Sequence, residues 1–122
     1  MHKDILIIDE KRFSRVCSAI LEAKGYASRY GVDINHSDLD LHPNYGLAIM
    51  SYPYCLSVEF KKFSYIPVVV LSNSLDSETI KTFSDFSDLH FMIKPLDFDK
   101  LLMTVGRLIN ANDRQKGVIE IV

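Results

Sequence analysis

The residues that could do chemistry in this chain stand where short apolar runs stop. Ile5-Leu6-Ile7-Ile8 ends in Asp9-Glu10, and Leu89-His90-Phe91-Met92-Ile93 ends in Lys94-Pro95. Between them Leu47-Ala48-Ile49-Met50 ends in Ser51, and Pro67-Val68-Val69-Val70-Leu71 ends in Ser72. With the runs as parallel strands, an acid pair, a lysine and two hydroxyls gather at one end of a sheet. Such a set suits a divalent metal, which takes hard oxygen ligands, and a phosphoryl group, whose charge a lysine and a hydroxyl can meet. The same pocket needs a carboxylate to receive the phosphoryl group, and position 51 offers a serine.

The elements that must position these residues follow from the apolar pattern. Short β-rich runs alternate with helical periodicity, which predicts an α/β fold: a doubly wound, five-stranded parallel sheet with helices on both faces. Strands are expected over 4–9, 26–30, 46–51, 66–72 and 89–94. The first is apolar throughout, as a strand buried on both faces must be. Phe13, Val16, Cys17, Ile20 and Leu21 then recur at the spacing of one helix face, and Gly25 stops that helix. The polar stretch from Asp33 to Asn44 reads as a loop, and a short helix fits around Leu56 to Phe63. Asp76 to Asp85 forms the next helix, with Ile80 and Phe83 turned inward. Pro95-Leu96-Asp97 supplies a turn and an N-cap for the last, whose face is Phe98, Leu101, Leu102, Val105, Leu108 and Ile109.

One domain is expected over 1–112, followed by a tail over 113–122. The tail's end, Gly117-Val118-Ile119-Glu120-Ile121-Val122, is apolar and β-branched. It fits an extra edge strand, a homodimer contact or the start of a linker, and nothing in the sequence decides among them.

Composition narrows the classes of function. The 122 residues, 48% hydrophobic and 25% charged, suffice for a real core and do not suit a disordered chain. A net charge of −2 gives no general attraction to nucleic acid or to an anionic membrane. The apolar runs are far shorter than a membrane span, and Met1-His2-Lys3-Asp4 leads straight into a strand without a signal peptide. A cytoplasmic location is the expectation. Cys17 and Cys55 have no metal or redox spacing, and Cys17, on an apolar helix face, reads as a buried free thiol. His2, His36, His42 and His90 are scattered, and none pairs with an acid or thiol at ligand spacing.

Taken together, the acid pair, the third-strand position, the fourth-strand hydroxyl and the fifth-strand Lys-Pro resemble the receiver domain of two-component response regulators, over essentially the whole chain. The resemblance implies the flavodoxin-like receiver fold and a place in bacterial phosphorelay signal transduction. In that family a phosphoryl group passes in line from a partner's phosphohistidine to an aspartate, and Mg²⁺, a hydroxyl and a lysine neutralise its oxygens. Asp9 and Glu10 match the acid pair that holds the metal, Ser72 the hydroxyl on the phosphoryl group, and Lys94 the cation that pairs with it. Lys94-Pro95 matches the family's cis bond, with Pro95 aiming the lysine inward. Phe91 matches the aromatic that reports the state of the site.

The departures are as informative. Ser51 replaces the acceptor aspartate, and a serine hydroxyl without an adjacent base is a poor nucleophile. Its ester would also be far more stable than an acyl phosphate. One negative charge is lost, so Mg²⁺ at Asp9 and Glu10 is expected to be weak or vestigial, no cofactor is expected, and Lys94 is expected to pair with Asp9 or Glu10. Tyr54-Cys55 stands where the family has Met-Pro, the proline has moved to Pro53, and Asn73 replaces a small residue. The segment between Ser51 and the fourth strand is short. These changes point to a pseudo-receiver that is not an enzyme. Its partner would be a histidine kinase or a downstream effector, bound through the fourth helix, fifth strand and fifth helix, the face the family uses. Two alternatives are a receiver still phosphorylated on Ser51 or a neighbouring hydroxyl such as Ser72, and a small α/β enzyme or ligand-binding domain reusing the pocket.

Overall fold

A computed structural model of the chain describes residues 3–31, 45–55, 63, 65–84, 88–109 and 119–122. Among the described residues six strands form one sheet: β1 (Asp4–Ile8), β2 (Ser28–Tyr30), β3 (Tyr45–Tyr52), β4 (Val68–Ser72), β5 (Leu89–Ile93) and β6 (Ile119–Ile121). Every neighbouring pair is parallel, in the order β2-β1-β3-β4-β5-β6. Chain order reverses between β1 and β3, and the crevice outside the carboxyl ends there is where open α/β sheets build their sites. The sheet thus has one strand more than the five expected. The extra strand comes from the end of the tail. The predicted loop from Asp33 to Asn44, most of the short helix around Leu56 to Phe63, and His2, His36 and His42 lie outside the described residues.

Side-chain alternation divides the apolar strands between two cores. Leu6, Ala48, Met50, Val68, Val70 and Phe91 face one way, into a cluster that also holds Phe63 and Phe83. Ile5, Ile7, Leu47, Ile49, Val69, Leu71 and Met92 face the other, against Cys17, Leu21, Leu101, Val105 and Leu108 from the helices. Each fully buried aliphatic side chain contributes about 1.5–3 kcal/mol, so the central strands are held from both faces.

Three helices flank the sheet among the described residues: α1 (Lys11–Ala23), α2 (Ser77–Thr82) and α3 (Phe98–Ile109). The buried stripe of α1 is Ser14, Cys17, Ser18 and Leu21, and Val16, expected inward, is 52% exposed. Two serines face the interior because their hydroxyls find partners there: Ser14 Oγ donates to the Asp9 carbonyl, and Ser18 Oγ bonds Ser28 Oγ. After the helix, Gly25 takes φ +88°, a left-handed turn that favours glycine. On α2, Asp76 is the N-cap and accepts the Thr79 N–H at 2.8 Å, a bond that holds its carboxyl below the usual range. That helix ends at Thr82, so Phe83 packs inward as its C-cap, whereas Ile80 is exposed rather than turned in. Asp97 caps α3 by accepting the Asp99 and Lys100 N–H groups. Leu101, Val105 and Leu108 of α3 are buried.

Asp88 enters β5 with φ +60° and is buried. Its carbonyl accepts the Val68 N–H, and its carboxylate bonds His90 Nε2 at 3.1 Å. A histidine paired with an acid was not expected from the sequence. Asp88 lies just outside β5, and the bend at its left-handed φ accompanies the contact with His90.

Candidate functional site

Because all the strands are parallel, Asp9, Ser51, Ser72 and Lys94 stand at or just beyond the carboxyl ends of β1, β3, β4 and β5. Asp9 is buried, and both oxygens of its carboxylate are engaged. Oδ1 accepts the Glu10 N–H at 2.7 Å, and Oδ2 accepts Lys94 Nζ at 2.9 Å. The Asp9 side chain is 3% exposed and that of Lys94 24%, so the pair sits under cover with one edge in water. Lys94 Nζ also lies 4.6 Å from the centre of the Phe13 ring, within cation–π range. Phe13 in turn stacks on Phe98 of α3. One ammonium therefore links β1, α1, the end of β5 and, through Phe13, α3.

The Lys94-Pro95 bond is cis, and the Lys94 N–H donates to the Ser72 carbonyl at 2.8 Å. This contact seats the turn after β5 against the end of β4. Glu10 caps α1 by position only: its side chain is exposed and makes no cap bond.

The hydroxyl half of the site is occupied by the chain's own backbone. Ser51, 5% exposed, donates its hydroxyl to the Leu71 carbonyl at 3.4 Å, a long bond to the adjoining strand. Its own carbonyl accepts the Cys55 N–H, while Cys55 Sγ reaches the Ile8 carbonyl. Ser72 Oγ donates to the Ser74 carbonyl at 2.7 Å in a local turn. The following Asn73 is exposed, and the Tyr52-Pro53 bond is cis.

Phe91 is fully buried and lies away from this charge cluster, in the first core. Its ring meets Phe83 edge-on at 5.5 Å, and Phe83 meets Tyr52 edge-on at 5.0 Å. An aromatic path thus runs from the residue after Ser51 to the middle of β5. Cys17, buried behind Asp9, has its thiol pushed up to about 12, first by burial and then by the Asp9 charge.

The donor set does not match a resident Mg²⁺. That ion takes several hard oxygens in near-octahedral array. Here Asp9 is already held by an ammonium, Glu10 is exposed, and serine stands at position 51. Among the described residues no three histidine, cysteine or acidic side chains come together as a metal-binding group.

The sequence reading missed Phe13 as a site residue. It appeared only as one apolar residue of a helix face, and periodicity carries no sign that a lysine from the far strand will lie over it.

The class that the fold defines is the receiver architecture. Solved structures similar to this chain include a two-component response regulator from Clostridium difficile, with TM-score 0.76 and 20% identity over 93% of this chain and 100% of that one. The chemotaxis protein CheY4 of Vibrio cholerae matches with TM-score 0.72 and 14% identity over 88% and 99% of the two chains. A CheY-like receiver domain protein from Methanospirillum hungatei matches with TM-score 0.71 and 17% identity over 90% and 95%. No family model matches the sequence, and no curated protein matches it significantly. The chain has the fold of response-regulator receiver domains. Among the described residues no helix is long and apolar enough to cross a membrane.

Proposed function

We propose that this chain is a pseudo-receiver: a signalling module of a two-component pathway that binds a partner protein and is not phosphorylated at the usual place. The observation that carries this reading is the Lys94–Asp9 ion pair at 2.9 Å, in a site whose third-strand position is Ser51. The lysine that would meet a phosphoryl oxygen is already neutralised, and so is the carboxylate that would hold the metal. Each serine hydroxyl donates to a backbone carbonyl, and among the described residues no bond to a basic side chain is seen that would take its proton. On this reading the described site residues are not set up for phosphoryl transfer, and the module acts by shape.

The receiver-like neighbours, among them a chemotaxis protein and a response regulator, support the signalling setting. A partner would engage the face built by α2, β5 and α3. Phe91 is fully buried and packs edge-on against Phe83, which suits a module with a single output state.

The test is incubation with Mg²⁺ and acetyl phosphate, or with Mg²⁺ and beryllofluoride, followed by intact mass and NMR. The expected result is an unmodified mass and no shift centred on Asp9, Ser51 and Lys94. A stoichiometric adduct overturns the reading. The companion Ser51→Asp variant is expected to gain phosphorylation if only the acceptor is missing. It stays inert if the Lys94–Asp9 pair has also closed the site.

A further inference from the structure

The two edges of the sheet are built differently. β2 and β6 are each three residues long. β2 follows α1 closely, and its Arg29 is tied by Nε to the Asp4 carboxylate of β1 at 3.2 Å. β6 follows α3 after residues 110–118 in the sequence, and what is described of its hold on β5 is main-chain pairing together with the packing of Val122. Leu89, His90 and Phe91 pair with Ile119, Glu120 and Ile121, and the Val122 N–H donates to the Phe91 carbonyl at 2.9 Å. The Val122 side chain packs against the second core, while Ile121 is 60% exposed.

β5 also runs past its partner. Met92 and Ile93 have no pairing with β6 among the described residues, and Ile93 is 47% exposed. Ile93 lies two residues beyond Phe91 and Ile121 lies opposite it, so the two exposed isoleucines share one face of the sheet. An apolar strip at a sheet edge, partly covered by a short strand, is the geometry used for strand addition. Main-chain hydrogen bonds then give affinity, and alternate side chains give specificity.

We propose that the outer edge of β5 is a strand-accepting interaction surface, held at rest by the chain's own residues Ile119–Val122. The partner it fits is an extended segment of a signalling protein. That segment lies parallel to β5, carries β-branched apolar residues at alternate positions, and is long enough to cover Ile93. This rests on the reading of the chain as a partner-binding module. It adds that the tail competes for part of the face such a partner would use, so partner binding and tail release are one exchange.

The test uses a fluorescein-labelled peptide with the sequence of residues 117–122 and the full chain carrying Val122→Asp. That substitution sets a charge against the second core and loosens β6. The peptide is expected to bind the variant about tenfold more tightly than the unaltered chain, where the resident strand competes. Equal affinity for the two chains, or no binding to a folded variant, overturns the proposal. Hydrogen exchange on the unaltered chain supplies the second measurement. The Val122 amide is expected to exchange about a hundredfold faster than the amides of Val69 to Leu71, and equal protection would mean that β6 opens only with the whole fold. A dimer in light scattering that the peptide dissociates would assign the edge to a second copy of the chain and also overturn the proposal. None of these readouts depends on phosphorylation, so the exchange can fail while the pseudo-receiver reading stands, and the reverse.

Discussion

At the ends of β1 and β5 the site holds two opposite charges 2.9 Å apart, whereas at the ends of β3 and β4 it holds two neutral hydroxyls that donate to backbone carbonyls. The first pair joins residues 85 positions apart, and the buried Asp9 carboxylate has Lys94 as its counter-charge. The second pair is settled locally or with the next strand, and neither hydroxyl needs the other. The charged half is therefore coupled and brittle, the hydroxyl half independent and tolerant. Substitution should expose that difference directly.

The largest effect is expected at Lys94. Lys94→Met leaves the Asp9 carboxylate buried without its cation and should cost about 3 kcal/mol, the lower end for breaking a covered ion pair because Lys94 keeps an edge in water. Urea denaturation at neutral pH measures it. A cost below about 1 kcal/mol would place the pair with ordinary surface salt bridges and erase the contrast between the two halves. Asp9→Asn should cost less, about 1 kcal/mol, because the lysine left behind can turn to water and the amide can still accept a hydrogen bond. The inequality between these two variants is the sharper test, since it follows from which partner is buried.

How much of this was legible in the sequence depended on whether a feature was local. The strands β1, β3, β4 and β5 were readable because each is an apolar run buried on both faces. The placement of Asp9, Ser51, Ser72 and Lys94 at the strand ends was readable because each end is marked by the first polar residue after the run. Val16 and Ile80 were misplaced for a common reason: periodicity counts apolar residues and does not see that a serine can be buried if its hydroxyl finds a partner. For Ser14 and Ser18 those partners are Asp9 and Ser28, which only the folded chain brings near. The pairing of the tail with β5 and the seating of Lys94 over Phe13 are long-range contacts with no local signature.

The hydroxyl half should respond weakly. Ser72→Ala removes a 2.7 Å bond to the Ser74 carbonyl and should cost about 1 kcal/mol, an average hydrogen bond. Ser51→Ala removes a bond of 3.4 Å and should cost about 0.5 kcal/mol, since a donor at that distance is poorly engaged. A double variant should show additive losses, because the two hydroxyls bond different carbonyls, those of Leu71 and Ser74. Coupling between the two serines would mean that the hydroxyls form a working unit, and the two halves would then be alike.

The smallest effect reads the charged half from behind. The Cys17 thiol rises from about 9 to about 12, chiefly through burial and secondarily through the Asp9 charge. Because the folded value lies above the unfolded one, the stability due to the neutral buried thiol is fully present below about pH 9. It is lost as pH rises from there through about 12. Cys17→Ala should flatten that alkaline decline. Asp9→Asn, in a Cys55→Ala background so that a single thiol titrates, should lower the Cys17 value only slightly, because burial remains. Thiolate absorbance against pH measures it. A fall all the way to about 9 would mean that the Asp9 charge, and not the apolar surroundings, had kept the thiol protonated, and that Lys94 neutralises Asp9 less completely than their 2.9 Å contact implies.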